Sequence, residues 1–153
     1  MPIREMKETD LPRVLEIQQE LAFQDWNTAQ FAAEIRANYA LCVVYEPLAE
    51  QGTPQITGYA IFHLLGPDSE LLSIAVRRNS QHKGIGKKLL DAGLSRLNPE
   101  SKDRCFLEVR EGNTSARKFY EKNGFKLFGT RKNYYSDGEN ACLYSIELES
   151  QIN

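Results

Sequence analysis

Two hydrophobic spacings divide the chain into strands and helices. Short apolar runs rich in β-branched and aromatic residues predict strands, and apolar residues three or four positions apart predict helices. Strands are expected at 3–6, 40–45, 55–65, 70–76, 104–110, 125–130 and 141–149. Helices are expected at 11–22, at 28–38, from about 84 to 97, and from 114 to just before Gly124. This order predicts an α/β fold in which helices pack on one mixed sheet.

Capping residues mark the ends of several predicted helices. Thr28 is expected to cap the second helix, and Asn113 or Thr114 the fourth, because short polar side chains accept hydrogen bonds from the free N–H groups of a first turn. Gly124 is expected to end the fourth helix in a left-handed conformation, with Phe125 packing after it.

Composition excludes several classes of protein. The 153 residues suit a single domain, and the net charge of −2 provides no basic field for binding nucleic acid. No apolar run is long enough to span a membrane, and the first residues lack a signal-peptide core. The three cysteines (Cys42, Cys105 and Cys142) lie in apolar strands without a metal-binding spacing. We therefore expect buried free thiols in a cytoplasmic protein, with no direct nucleic-acid or membrane partner and no metal.

A glycine-containing loop connects the fourth strand to the third helix. Its sequence is Gln81-His82-Lys83-Gly84-Ile85-Gly86-Lys87. Free N–H groups at a helix start bind anions, and glycine lets a phosphate approach the backbone closely. The loop does not fit a P-loop, which would need a glycine at Gln81 and a hydroxyl at Lys88. It does not fit a dinucleotide fingerprint either, because Leu89 stands where a small residue is required.

This loop and a second stretch of sequence, residues 107–125, together resemble one protein family. The glycine loop resembles the pyrophosphate-binding loop of the GNAT superfamily of acetyl-CoA-dependent N-acetyltransferases. Residues 107–125 are similar to the L-E-V-R-x-x-N-x-x-A-x-x-x-Y-x-x-x-G-F block of bacterial RimI-type enzymes, which acetylate the N-terminal alanine of a small-subunit ribosomal protein. The similarity recurs at 74–76 and 131–135, and weakly at 23–26 with Phe31.

This resemblance implies a fold and a co-substrate. The family fold is a single GNAT domain, here residues 1–153, whose central sheet is splayed between its fourth and fifth strands. Acetyl-CoA is the implied co-substrate, and no metal is implied. The resemblance assigns coenzyme binding to the strand residues Ile74, Ala75 and Val76, to the loop residues Gln81, His82, Lys83, Gly84, Ile85, Gly86 and Lys87, and to Asn113.

The family mechanism requires a base and an acid, and two residues match those positions. Glu108 matches the base that takes a proton from the attacking amine, and its apolar neighbours are expected to raise its pKa by desolvation. Tyr120 matches the acid that protonates the coenzyme A thiolate. Taken singly, Glu108 also fits a solvent-facing strand residue, Tyr120 a core aromatic, and Asn113 a simple helix cap.

The acceptor is expected to meet the loop between the last two strands. Arg131, Tyr134 and Tyr135 are the predicted substrate-binding residues, because tyrosines form rigid walls with polar tips. The resemblance implies transfer to a protein N-terminal α-amine, most specifically the alanine of a ribosomal protein. A GNAT enzyme for a lysine side chain or a small-molecule amine remains an alternative, as does a non-catalytic coenzyme A-binding module.

Overall fold

A computed structural model describes residues 2–49 and 51–148. The described residues form seven strands: β1 (Ile3–Glu5), β2 (Ala40–Tyr45), β3 (Gly58–His63), β4 (Asp68–Val76), β5 (Arg104–Arg110), β6 (Lys126–Arg131) and β7 (Ala141–Glu147). They also form four α-helices: α1 (Leu11–Leu21), α2 (Thr28–Arg36), α3 (Ile85–Leu94) and α4 (Thr114–Lys122). Short 3-10 helices precede α1 and α3. The predicted end of the last strand at Glu149 lies outside the described residues.

One open, mixed sheet contains all seven strands in the order β1-β2-β3-β4-β5-β7-β6. β1 pairs with β2, β2 with β3, and β7 with both β5 and β6, all antiparallel. β4 and β5 pair in parallel, over Asp68–Glu70 and Arg104–Phe106. The predicted α/β class and open mixed sheet are confirmed.

The described residues divide into two compact units. The first contains the chain up to Leu64 together with Leu71–Arg96, and the second contains Leu65–Glu70 and the chain from Leu97 onward. The division falls within β4, so the three residues that pair with β5 belong to the second unit. Within both units, no helix is long and apolar enough to cross a membrane.

The core of the first unit joins α1 and α2 to the sheet. The apolar positions of the helices alternate with polar ones at helical spacing, so each helix buries one face. Val14, Ile17 and Phe31 are at most 1% exposed and cluster with Val44 and Tyr59 of the sheet. All three cysteines are buried free thiols, as expected.

The second unit is organised around β5 and α4. Cys105, Leu107 and Val109 of β5 are buried, whereas the alternate residues, among them Glu108, are partly exposed. α4 is anchored by Tyr144, whose hydroxyl accepts from Arg117 Nε at 3.0 Å and donates to Glu121 at 2.6 Å. The strand thus has one core face and one accessible face, as its alternation predicted.

Several predicted ends shift by a few residues. Asn27, not Thr28, caps α2, because its Oδ1 accepts from Gln30 N at 2.8 Å. α2 ends at Arg36 and not at 38, and α3 ends at Leu94 and not at 97. β3 begins at Gly58 and not at 55, because Gln55 N and Thr57 N bond to Pro47 O and Tyr45 O outside the regular ladder.

Candidate active site

The glycine loop begins the helix α3 in the first unit. Gly84 is the N-cap residue, with a φ of +83° that L-residues rarely adopt. Gln81 closes the loop by donating from Nε2 to Val76 O at 2.8 Å, so its side-chain amide holds the loop on the end of β4. His82, Lys83 and Gly84 are exposed. The loop therefore presents the first N–H groups of α3, which have no intrahelical acceptor.

Two of the three lysines near this loop have local partners. Lys87 Nζ lies 2.8 Å from Asp91 Oδ2, one helical turn on. Lys88 Nζ lies 5.8 Å from the centre of the Tyr45 ring. The backbone groups of the loop are thus its most direct anion-binding feature, and a pyrophosphate fits their chemistry.

Hydrogen bonds fix the strand segment that precedes the loop. Ser73 Oγ donates to Gln24 Oε1 at 3.1 Å, and Gln24 Nε2 lies 3.4 Å from the hydroxyl of fully buried Tyr59. These bonds tie the α1–α2 connection to β4 immediately before Ile74. Ile74 and Val76 are partly exposed and Ala75 is buried, so the segment Ile74–Val76 keeps strand alternation.

In the second unit, Glu108 faces charged and polar partners. Its Oε1 lies 3.6 Å from Arg131 Nε, and 27% of the Glu108 side chain is exposed. The pKa of Tyr134 is raised, mainly because its hydroxyl is hydrogen-bonded to the Glu108 carboxylate. The structure thus brings together three predicted site residues, Glu108, Arg131 and Tyr134. The surroundings of Glu108 are more polar than its apolar flanks in sequence suggested.

Tyr120 lies in an aromatic cluster on α4. Its ring centre is 5.9 Å from that of Phe125 and 6.4 Å from that of Tyr144. Burial is the main cause that raises the pKa of Tyr120, with smaller contributions from Cys105 and Tyr135. The phenol therefore keeps its proton at neutral pH and above. Asn113 caps the same helix through its Oδ1, which accepts from Ala116 N at 3.2 Å.

The side chains of Glu108 and Tyr120 lie on opposite faces of the strand β5. Tyr120 stacks near Tyr144, which is the cross-strand partner of Leu107 and shares its face. Glu108 is the next residue along the strand, so its side chain points to the other face. The two groups thus form no direct acid–base pair.

The connection between β6 and β7 is a structured turn. Arg110 Nη1 lies 2.9 Å from both Asp137 Oδ2 and Glu139 Oε1, and the Arg110 guanidinium lies 4.0 Å from the Tyr135 ring centre. The hydrogen bond from Arg110 is the main cause that lowers the pKa of the Glu139 carboxyl, followed by the hydrogen bond from Gly112 N. Tyr135 packs edge-on against Tyr134 at 5.1 Å, which holds both tyrosines beside β5.

An open cleft of about 330 Å³ contains Glu108 and lies within the second unit. Arg131, Asp68, Ser69 and Glu70 are its other polar residues. Leu65, Phe106, Leu107, Phe128 and Leu143 are its apolar residues. The sequence did not single out this apolar part, because it is assembled from three strands and a turn. The alternation of β5, which places Phe106 on the same face as Glu108, is the available signal in the sequence.

Comparison with known proteins establishes the family. A model of the acetyltransferase (GNAT) family matches residues 9–125. The chain belongs to the GNAT acetyltransferase family. It is 34% identical over 150 residues to the ribosomal protein bS18-alanine N-acetyltransferase of Haemophilus ducreyi, covering 95% of this chain and 99% of the relative. The crystal structure of the ribosomal-protein-S18-alanine N-acetyltransferase from Escherichia coli superimposes with a TM-score of 0.79 at 27% identity, covering 99% and 96% of the two chains.

A further relative carries a broader name. The N-alpha-acetyltransferase of Saccharolobus solfataricus is 40% identical over 79 residues, which are 51% of this chain and 47% of that protein. As a GNAT acetyltransferase, the protein is an enzyme that uses acetyl-CoA as its co-substrate. The sequence-based assignments of superfamily, enzyme class and co-substrate are confirmed.

Proposed function

We propose that this enzyme transfers the acetyl group of acetyl-CoA to the α-amine at a protein N-terminus, with the N-terminal alanine of a small-subunit ribosomal protein as its acceptor. The Haemophilus ducreyi and Escherichia coli relatives are named for that alanine, and the first of them is matched along nearly its whole length. The observation that carries the proposal is that Arg131 and Tyr134 both interact with Glu108 in a GNAT enzyme, and that Glu108 and Arg131 line one cleft.

Coenzyme binding is proposed for residues of the first unit. The N–H groups of the Gln81–Lys87 loop would bind the pyrophosphate, and the backbone of Ile74–Val76 would pair with the pantetheine arm as an added strand does. Asn113, at the start of α4 in the second unit, would contact the coenzyme with the part of its amide that does not cap the helix. Gln81 would act mainly by holding the loop in shape.

Proton transfers are proposed for residues of the second unit. The neutral amine attacks the thioester carbonyl carbon, a C–N bond forms and the C–S bond breaks. Glu108 would accept the proton that the amine loses, and Tyr120 would donate a proton to the departing thiolate. A free α-amine has a pKa of about 8, so a carboxylate is a sufficient base near neutral pH. Because one reaction needs both sets of residues, we propose that residues 1–153 act as one catalytic domain.

Arg131, Tyr134 and Tyr135 are proposed to form the wall that receives the acceptor. The two tyrosines pack edge-on against each other and lie beside the cations Arg110 and Arg131, which restricts their motion. A narrow, rigid wall admits a small first side chain and excludes a large one by steric conflict. The buried free thiols and the ribosomal acceptor together favour a cytoplasmic location.

Mass spectrometry of acetylated peptides tests this function. One peptide begins with alanine and carries a free α-amine, and its partner has a blocked N-terminus and one free lysine. We expect acetylation of the α-amine of the first peptide at a much higher rate. Preferential modification of the lysine would contradict the proposed acceptor and leave the acetyltransferase class intact.

A further inference from the structure

Large apolar side chains are exposed on the face of the sheet that carries Glu108. Phe128 is 56% exposed and Leu65 is 53% exposed, and both line the cleft. Phe106 packs edge-on against Phe128 with ring centres 5.8 Å apart. Contiguous apolar surface beside a few polar groups is typical of a ligand-binding site.

Sheet geometry gives the distance from Glu108 to this apolar surface. Phe106 is two residues from Glu108 on the same face of β5, which is about 7 Å at strand rise. Leu143 is the cross-strand partner of Glu108, and the next strand, β6, pairs with Leu143 at Gly129, beside Phe128. The cluster of Phe106, Phe128 and Leu143, here called the apolar shelf, therefore extends from Leu143, directly beside Glu108, to Phe106, one two-residue step along β5.

The side chains of an extended peptide have the same two-residue spacing as those of a strand. Its side chains alternate between two sides, so the first and third residues of a peptide share a side and stand about 7 Å apart. With the α-amine of the first residue at Glu108, the third side chain reaches the apolar shelf, and the second points away from the sheet.

We propose that the apolar shelf binds a large apolar side chain at the third position of the acceptor. This inference rests on the proposed function, because it places the acceptor amine at Glu108. The occupant is a segment of the substrate, since the shelf is continuous with Glu108 and Arg131 in a single cleft. The shelf is a specificity site that reads the acceptor beyond its first residue.

Peptide kinetics separate this proposal from its alternatives. Three peptides begin with alanine and serine and differ only at the third residue, which is leucine, phenylalanine or serine. We expect kcat/KM to be about tenfold or more higher for leucine and phenylalanine than for serine, in the range for apolar pocket contacts. A preference that falls on the second or fourth position, or no preference, would overturn the proposal.

Two variants connect the preference to the shelf. Phe128→Ala should lower kcat/KM for the leucine and phenylalanine peptides toward the value for the serine peptide and so abolish the preference. Leu127→Ala is the matched control, because Leu127 is 48% exposed on the same strand and does not line the cleft. Circular dichroism establishes that both variants are folded. Retention of the preference in Phe128→Ala would overturn the proposal.

Binding measurements keep the inference separate from the catalytic proposal. If no α-amine is acetylated, the proposed function fails, and calorimetric titration of the leucine and serine peptides into the coenzyme-loaded protein still tests the shelf. Tighter binding of the leucine peptide that Phe128→Ala removes would support the shelf. Equal binding would overturn it, as would a homodimer that Phe128→Ala dissociates in sedimentation, because a second copy would then cover the shelf.

Discussion

At the scale of single residues, Glu108 is the group whose chemistry decides the mechanism. Glu108→Gln preserves shape and removes the base, so we expect the acetylation rate at neutral pH to fall by about 10²-fold or more. The deficit should shrink as pH rises through about 8, because the free α-amine then loses its proton without help. Steady-state rates of both enzymes between about pH 6.5 and 9.5, on either side of the α-amine pKa, measure how this deficit depends on pH.

Glu111→Gln is the matched control for that variant. Glu111 is an exposed carboxylate three positions further along the chain, so its loss changes the net charge equally. Its rate should equal that of the unaltered enzyme at every pH. A deficit in Glu108→Gln that does not depend on pH would show that Glu108 positions the acceptor and does not take its proton.

Tyr120 makes a different prediction, because its ring and its hydroxyl have separate roles. Tyr120→Phe keeps the packing against Phe125 and Tyr144, so acetyl-CoA affinity and folding should be nearly unchanged while turnover falls by about tenfold or more. Burial raises the pKa of Tyr120 above its ordinary value of about 10. The unaltered enzyme should therefore keep its proton donor, and its rate, from about pH 8 to the ordinary tyrosine pKa of about 10.

Tyr144→Phe is the control for the loss of a buried hydroxyl on the same cluster. Tyr144 bonds Arg117 and Glu121, so its variant should lose about 1–3 kcal/mol of stability and retain turnover. Equal turnover in Tyr120→Phe and the unaltered enzyme would show that Tyr120 only packs in the core and does not donate the proton.

The surroundings of Glu108 show which contacts can be predicted from the sequence and which cannot. The alternation of β5 correctly predicted that Glu108 faces away from Leu107 and the core. It could not supply Arg131, which lies 23 positions later and reaches Glu108 only through the pairing of β6 with β7 and of β7 with β5. Cross-strand neighbours depend on register, and register is set by the whole sheet.

At the scale of elements, the start of α3 combines a conformational requirement with a proposed binding role. Gly84→Val places a β-branched residue at a φ of +83°, which costs stability and obstructs the approach of a pyrophosphate. We expect the dissociation constant for acetyl-CoA to rise more than tenfold, about 1.4 kcal/mol, in calorimetric titration.

Gly52→Val separates backbone strain from loss of binding. Gly52 has a φ of +79° and, like Gly84, has open space where a side chain would begin. Both variants should lose comparable stability, yet only Gly84→Val should lose acetyl-CoA affinity. Unchanged acetyl-CoA affinity in folded Gly84→Val would show that the loop does not bind the coenzyme.

The helices and strands occur in the predicted order, and several of their ends differ from the prediction for local reasons. Gly124 and Phe125 end α4 as expected, because Phe125 N bonds Tyr120 O and Gly124 N bonds Glu121 O in a helix-ending pattern specific to a left-handed residue. The start of α2 was misplaced by one residue, because Asn27 and Thr28 are adjacent residues that both favour an N-cap. The apolar shelf had no linear signature, since its residues come from separate strands.

At the scale of the whole molecule, the proposed division of labour requires both compact units in one domain. If residues 1–153 form one cooperative domain, acetyl-CoA should stabilise both units together. At a coenzyme concentration about 100 times the dissociation constant, the expected gain is about 2.7 kcal/mol. For a chain of this size that corresponds to a rise in Tm of roughly 5–10 °C.

Each unit offers its own reporter of this stabilisation. Trp26 is the single tryptophan and lies in the first unit, so its fluorescence follows that unit during heating. Hydrogen exchange at the amides of β5 and β7 follows the second unit. We expect one coincident transition, a shift retained in Glu108→Gln, and a shift reduced to about half or less in Gly84→Val at the same coenzyme concentration. Stabilisation of Trp26 without added protection of β5 would show that the units unfold separately, and the single-domain proposal would fail.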